Sequence, residues 1–305
     1  VVLKFLRAAG KSEPAATPAG VDLAAGRRAF IQSVGLGVAG SAIVGPAAFS
    51  PAAAQTVTDT DILNFALNLE YLEAEFYLRA ATGRGLADSE VSGTGTLGAV
   101  TGGRQVNFAT SAIRNYAVEI ASEERIHVQF LRSALGSARV ARPAVNLTTS
   151  FTAAAQAAGL ITSGQTFDAF ADETNFLLAS YIFEDVGVSA YLGAAPLISN
   201  KSILAAAGGI LAAEAYHAGT IRTVLYSRGL YTPALRISDA RDSLDGSTDL
   251  DQGIGTATIA NVSLTNPANG QAYARTTSQV LNIVYLNPSK RPGGFFPSGL
   301  NGTIR

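Results

Sequence analysis

Two tetrads decide how this chain reads: Glu124-Arg125-Ile126-His127 and Glu214-Ala215-Tyr216-His217. They contain both of the histidines found in 305 residues. A carboxylate and an imidazole three positions apart on a helix project from the same side. Two such helices facing each other therefore supply most of a cage for two metal ions. A single Glu-x-x-His on an Ala-rich helix is commonplace and reads equally as a surface pair. The weight comes from both histidines taking the same form.

Outward from the tetrads, the pattern is helical. Thr58 is a good N-cap before Asp59 and Asp61, and an apolar stripe follows at Ile62, Phe65, Ala66, Leu69, Leu72 and Phe76, fading at Thr82-Gly83. A Gly/Thr-rich loop leads to a second helix, expected from about Val106 to Leu135 and stopped by Gly136. A third is expected from Phe167 to Ala194, stopped by Pro196, and a fourth from Lys201 to Tyr226, stopped by Gly229 and Pro233. Medium, long and short links in that order predict an all-α core: a four-helix bundle over 58–230 with one long crossover between helices two and three. Residues 231–305 form a C-terminal extension of loop and β-prone character that packs on the bundle or mediates assembly. Within it, Asp239–Gly253 is acidic and turn-rich, and Gly255–Tyr285 carries β-prone alternations. The run Asp245 to Asp251 suggests a calcium loop but lacks the spacing and closing Glu of an EF-hand.

A dinuclear carboxylate bundle needs one further Glu from each remaining helix. The third helix offers Glu184, set in an apolar stripe with Leu177, Tyr181, Val188 and Leu192, where a carboxylate is costly unless paired or metal-bound. The first offers Glu70, Glu73 and Glu75. Glu75 falls off the stripe and is expected in solvent. The helical wheel leans to Glu73, but Tyr77 follows Glu70 by seven residues just as Tyr191 follows Glu184. That pseudo-repeat of two hairpins selects Glu70 as ligand, with Glu73 beside it as support or alternative ligand. Tyr77 and Tyr191 then lie near the metals as hydrogen-bond donors or redox-active phenols and are the catalytic candidates. Tyr71, Tyr116 and Tyr216 read as core or rim aromatics, and Arg125 and Arg222 as partners of carboxylates.

Composition closes off other chemistries. A hydrophobic content of 48% with 15% charged residues indicates a buried core, and a net charge of −1 gives no footprint for nucleic acid. With no Cys, disulfides, thiolate zinc sites, iron–sulfur clusters and a Cys nucleophile are excluded, so any metal is held by oxygen and nitrogen. Residues 1–54 read as a twin-arginine export signal. Arg27-Arg28 precedes a Gly- and Ala-rich apolar stretch and an Ala-x-Ala site, with cleavage expected near Ala54. The alternative, an uncleaved membrane anchor, is weakened by Gly35, Gly37, Gly40 and Pro46. The signal predicts a periplasmic, extracellular or cell-envelope location.

The stretch Leu63 to Tyr77 resembles the first helix, and Phe183 to Gly193 the third, of the ferritin-like superfamily, within it the bacterial group related to desiccation and stress proteins. The ending Gly294-Phe295-Phe296-Pro297 through Gly302 is similar to the tail of the plant desiccation-related members. The resemblance implies two iron or manganese ions held by Glu70, Glu124, His127, Glu184, Glu214 and His217. It also implies peroxide or dioxygen chemistry under oxidative or desiccation stress, of catalase or ferroxidase type, in a homo-oligomer. A non-catalytic protein of envelope assembly or dry-state protection, and metal sequestration without turnover, are the alternatives. The absence of Cys removes the rubredoxin module of rubrerythrin-like members, and the absence of Met removes a bacterioferritin-like haem ligand.

Overall fold

The computed structural model describes residues 57–305. The export signal expected over residues 1–54 lies outside them. Four long helices carry the architecture: α1 (Asp59–Thr82), α2 (Ser111–Leu135), α4 (Glu173–Ala194) and α5 (Lys201–Ser227). Thr58 closes a capping box with Asp61, Asp172 caps α4 through the Thr174 and Asn175 amides, and Asn200 caps α5. α1 lies antiparallel to α2: Asn64, near its start, donates to Ala138 O beyond the end of α2, and Val106, ahead of α2, donates to Ala80 O near the end of α1. α4 and α5 form the second hairpin, and the two hairpins meet along α1 and α4. This is the expected four-helix bundle with a long crossover between its second and third helices.

Two helix starts differ from expectation. α2 begins at Ser111, because Thr110 ahead of it is extended, Val106 is held to Ala80 O, and the Glu173 carboxylate accepts from Thr110 N (2.9 Å) and Oγ1 (2.8 Å). α4 begins at Glu173, where Asp172 caps it; Phe170 instead packs on Phe76, ring centroids 5.5 Å apart. The crossover contains a short helix, α3 (Thr149–Ala157), whose Phe151 is fully buried against Phe76 and Phe183.

The extension is more helical than its composition suggests. α6 (Tyr231–Asp245) runs straight through Pro233, which sits in the first helical turn, where its missing N–H costs nothing. α7 (Thr277–Val284) is started by a Thr276/Gln279 capping box and buries Val280, Leu281, Ile283 and Val284. The β-prone signal yields only β3 (Gly255–Thr256) paired antiparallel with β4 (Ile259–Ala260), while β1 (Val100–Thr101) and β2 (Val145–Asn146) form a parallel pair joining the first loop to the crossover.

Charge pairs lock the extension to the bundle. Arg222 of α5 and Arg241 of α6 both bond Asp185 of α4, at 2.8 and 2.9 Å; Arg241 also reaches Asp251 at 2.7 Å, and Arg275 bonds Asp245 at 2.6 Å and Asp251 at 3.0 Å. All six side chains are buried, so each charge depends on its partners. Asp245 and Asp251, the ends of the calcium-like run, are thus anions of this lock. The tail aromatics pack as expected: Phe295 lies edge-on to Phe183 (4.9 Å) and Phe151 (5.1 Å). Asn301 stitches distant segments together, exchanging hydrogen bonds with Asn68 of α1 and Thr96 of the first loop and donating to Ala141 O.

Candidate metal centre

The four long helices deliver their acidic and imidazole side chains to one buried point. Glu70 comes from α1, Glu124 and His127 from α2, Glu184 from α4, Glu214 and His217 from α5. Ligand atoms of Glu70, Glu124, His127 and Glu214 all lie within 4.8 Å of one another, and so do those of Glu124, Glu184, Glu214 and His217. Glu124 and Glu214 belong to both groups. His127 Nδ1 stands 3.3 Å from Glu70 Oε2, 3.6 Å from Glu214 Oε1 and 3.7 Å from Glu124 Oε2. His217 Nδ1 stands 3.1 Å from Glu124 Oε1 and 3.5 Å from Glu184 Oε2. The rings are 6.2 Å apart, one in each group.

Buried polar atoms are ordinarily hydrogen-bonded. Here both oxygens of Glu124 and of Glu214, one oxygen each of Glu70 and Glu184, and Nδ1 of both histidines are buried without a hydrogen-bond partner among the described residues. Such a convergence is prohibitive in an apolar core unless cations occupy its centre. The donor set is therefore fitted to metal: carboxylate oxygens and imidazole nitrogens suit divalent first-row ions.

Electrostatics tell the same story from the protein's side. Burial pushes the Glu70 carboxyl up to about 7 against the pull of His127. Glu214 is raised well above the ordinary range by burial and by Glu124 beside it. Burial would raise the Glu124 carboxyl, but the two imidazoles close beside it outweigh that and hold it at about 2. Burial disfavours charge on His127, yet Glu70 and Glu124 outweigh it and lift its pKa to about 11; His217 is raised in the same way by Glu184 and Glu124. The surrounding carboxylates thus favour a positive charge on both imidazoles.

The tyrosines are placed across the bundle rather than along their own helices. Tyr77 of α1 donates to Glu184 of α4, and Tyr191 of α4 donates to Glu70 of α1. Burial raises both phenols well above their usual pKa, so they remain donors. Each takes up the outer oxygen of its glutamate and leaves the other for the cage.

Glu73 is buried but lies outside both ligand groups. It borders a cavity of about 20 Å3 that is otherwise lined by apolar groups including Phe183, Gly187 and Phe295. In the pseudo-repeat its counterpart is Gly187, three residues after Glu184. There a side chain has no room: a Cβ on Gly187 would sit 2.2 Å from Glu214 Oε2. The expectation for Glu75 is overturned. It is buried, bonded to Arg79 (3.0 Å) and paired with Arg142 of the crossover, because the first loop folds over that face of α1 and Gly85 passes directly against its carboxylate. Arg125 and Arg222 pair with Glu90 and Asp185, and Tyr71 is buried beside Arg132.

One participant was invisible in the sequence. Glu123, on α2, accepts from His217 Nε2 at 2.6 Å. It lines a groove of about 460 Å3 between α2 and α5, rimmed by Tyr116 and Tyr216, with His217 at its base. Its partner lies on another helix, so no local spacing marks it.

A sequence profile described as "Ferritin-like domain" matches residues 58–227. The chain is 30% identical over 266 residues to the protein named Ferritin-like catalase Nec2 of Nesocodon mauritianus, an alignment covering 81% of this chain and 84% of that one. It is 29% identical over 266 residues to Desiccation-related protein PCC13-62 of Craterostigma plantagineum, covering 80% and 83% respectively.

Proposed function

This chain belongs to the ferritin-like domain family, and from that membership we propose that it is a dinuclear iron or manganese protein that breaks down hydrogen peroxide. The observation that carries the reading is the convergence of unpartnered buried oxygens and imidazole nitrogens from four helices on two adjoining positions. The relative named as a ferritin-like catalase supports peroxide over dioxygen as substrate.

The residues divide the work. Glu124 and Glu214, which belong to both ligand groups, would span the two cation positions; Glu70 with His127 would close one end, and Glu184 with His217 the other. Tyr77 and Tyr191 hold the two terminal carboxylates in place by hydrogen bonds to their outer oxygens. The surrounding core, including Phe76, Phe183 and Phe295, excludes bulk water, and the groove between α2 and α5 admits a small solute to the His217 side. A pair of redox-active ions, when bound, supplies the two-electron cycling that converts two peroxide molecules into dioxygen and two water molecules. That chemistry draws on no external reductant, in keeping with a chain lacking Cys.

Elemental mass spectrometry on protein purified without chelator tests the reading, beside the His127→Ala/His217→Ala double variant. About two iron or manganese per chain, lost in the variant, together with oxygen release from peroxide by the loaded protein, is the expected result. A loaded protein that releases no oxygen removes the catalase reading; a native protein without metal removes the dinuclear one. Arg27-Arg28 and the Ala-x-Ala site support export by the twin-arginine route, tested by replacing both arginines with lysine and following the protein's compartment. The outward-facing Ile126, Phe130 and Tyr216 favour a homo-oligomer, tested by light scattering.

A further inference from the structure

The pseudo-repeat that builds the centre is broken where it touches the groove. Both histidines turn Nδ1 inward, toward the carboxylates. Their outer nitrogens meet different surroundings. His217 Nε2 lies 2.6 Å from Glu123 Oε2, whereas His127 Nε2 has no hydrogen-bond partner among the described residues. The cause lies in the sequence: the residue preceding Glu124 is Glu123, and the one preceding Glu214 is Ala213. Glu123 is not a member of either ligand group, and its side chain is 44% exposed to the groove.

We propose that Glu123 is a positioning residue that makes the two metal positions unequal. The inference rests on the dinuclear reading above. An ionised carboxylate only accepts, so its bond to Nε2 holds a ring proton there, and Nδ1, which faces the cage, is the nitrogen that gives up its proton when a metal binds. A carboxylate behind an imidazole fixes the ring's orientation and makes it a stronger donor toward the metal. The position served by Glu184 and His217 is therefore the tighter of the two and fills first. The position served by Glu70 and His127 is the weaker and fills second. Because Glu123 also lines the groove, the preferred position lies at its base.

Zn(II), which is diamagnetic, is the probe, and the chain's two histidines make ring NMR signals simple to assign with His127→Ala and His217→Ala. Wild-type protein is titrated from zero to two equivalents and compared with Glu123→Ala and Glu123→Asp. The expected wild-type result is that His217 ring signals shift to their bound values in the first equivalent and those of His127 in the second. The His217 Nε2 proton alone should resonate far downfield and exchange slowly. In Glu123→Ala that signature should disappear, affinity at the His217 position should fall about 10–100-fold, and filling order should reverse, while affinity at the His127 position stays as in wild type. Glu123→Asp should restore part of the loss.

Wild-type protein that takes two ions, with Glu123→Ala matching it in signature and affinity, overturns this inference and leaves the dinuclear reading standing. An equal loss at both positions also overturns it, since that would mark a general structural effect. A wild-type protein that takes up no ion removes both.

Discussion

Gly187→Ala sets local helix stability against metal binding, and the two effects have opposite signs. Gly187 lies inside α4, where replacing Gly by Ala ordinarily stabilises a helix by about 1 kcal/mol. The added methyl would lie 2.2 Å from Glu214 Oε2 and 3.0 Å from its Cδ. Reaching ordinary van der Waals separation requires the carboxylate to retreat by about 1 Å. In chelated protein Glu214 has some freedom to do so, and stability should stay within about 1 kcal/mol of wild type. In loaded protein it has none, because metal–ligand distances tolerate only about 0.2 Å. Glu214 belongs to both ligand groups, so on the dinuclear reading uptake at both should weaken, each by at least about tenfold, or about 1.4 kcal/mol. Urea unfolding with chelator and with saturating Mn(II), beside a metal-uptake titration, measures the two effects separately. Uptake equal to wild type at both positions would show that Glu214 is not a ligand and refute the bridging assignment.

Tyr77→Phe and Tyr191→Phe each strip a donor from a buried carboxylate; each should lower the stability of the chelated protein by about 1.5–3 kcal/mol in urea unfolding, and an unchanged midpoint would reduce the phenols to packing groups. Asp251→Ala leaves Arg241 and Arg275 short of a buried counter-charge and should cost about 3–5 kcal/mol, whereas a loss under 1 kcal/mol would mean the lock is solvated. Chelated protein should lose stability as pH rises above 4.5, beyond the acid range in which Glu124 acts in the opposite sense. The Glu70 carboxyl, raised from 4.5 to about 7, favours the folded state fully below 4.5 and ceases to do so above 7. His127, raised from 6.5 to about 11, loses its contribution between those values. Metal affinity runs the other way, because its ligands must shed protons, so thermal unfolding of chelated and Mn(II)-loaded protein should diverge between pH 5 and 8; parallel curves would contradict the charge scheme.

The bundle and the cluster were legible because both rest on periodicity: apolar stripes set the helices, and two Glu-x-x-His tetrads can share a centre only if their helices face each other. The choice of Glu70 over Glu73 followed from the Tyr77 and Tyr191 spacing, and the structure puts Glu70 in the cluster and Glu73 beside it. What escaped depends on tertiary partners. Glu75 is off the stripe, yet Arg142, far along the chain, buries it. Glu123 acquires its role from a histidine on another helix. α6 was hidden by Pro233, which ends a helix when interior and is harmless in a first turn. The start of α2 is set by Glu173 of α4, a cap supplied by a different helix.

The Asn68–Asn301 clamp has a consequence for the order in which the molecule is made. Its partners are 233 residues apart, and Phe295, which walls in Phe183 beside Glu184, is nearly as distant from α1. At roughly 5–20 residues per second, translation takes about 10–50 s to travel from one side of that clamp to the other. All four helices that carry the acidic and imidazole cluster have left the ribosome before the segment that seals them. A ribosome stalled just short of residue 295 would thus hold a nascent chain with the six side chains of the cluster already made and no wall behind Phe183.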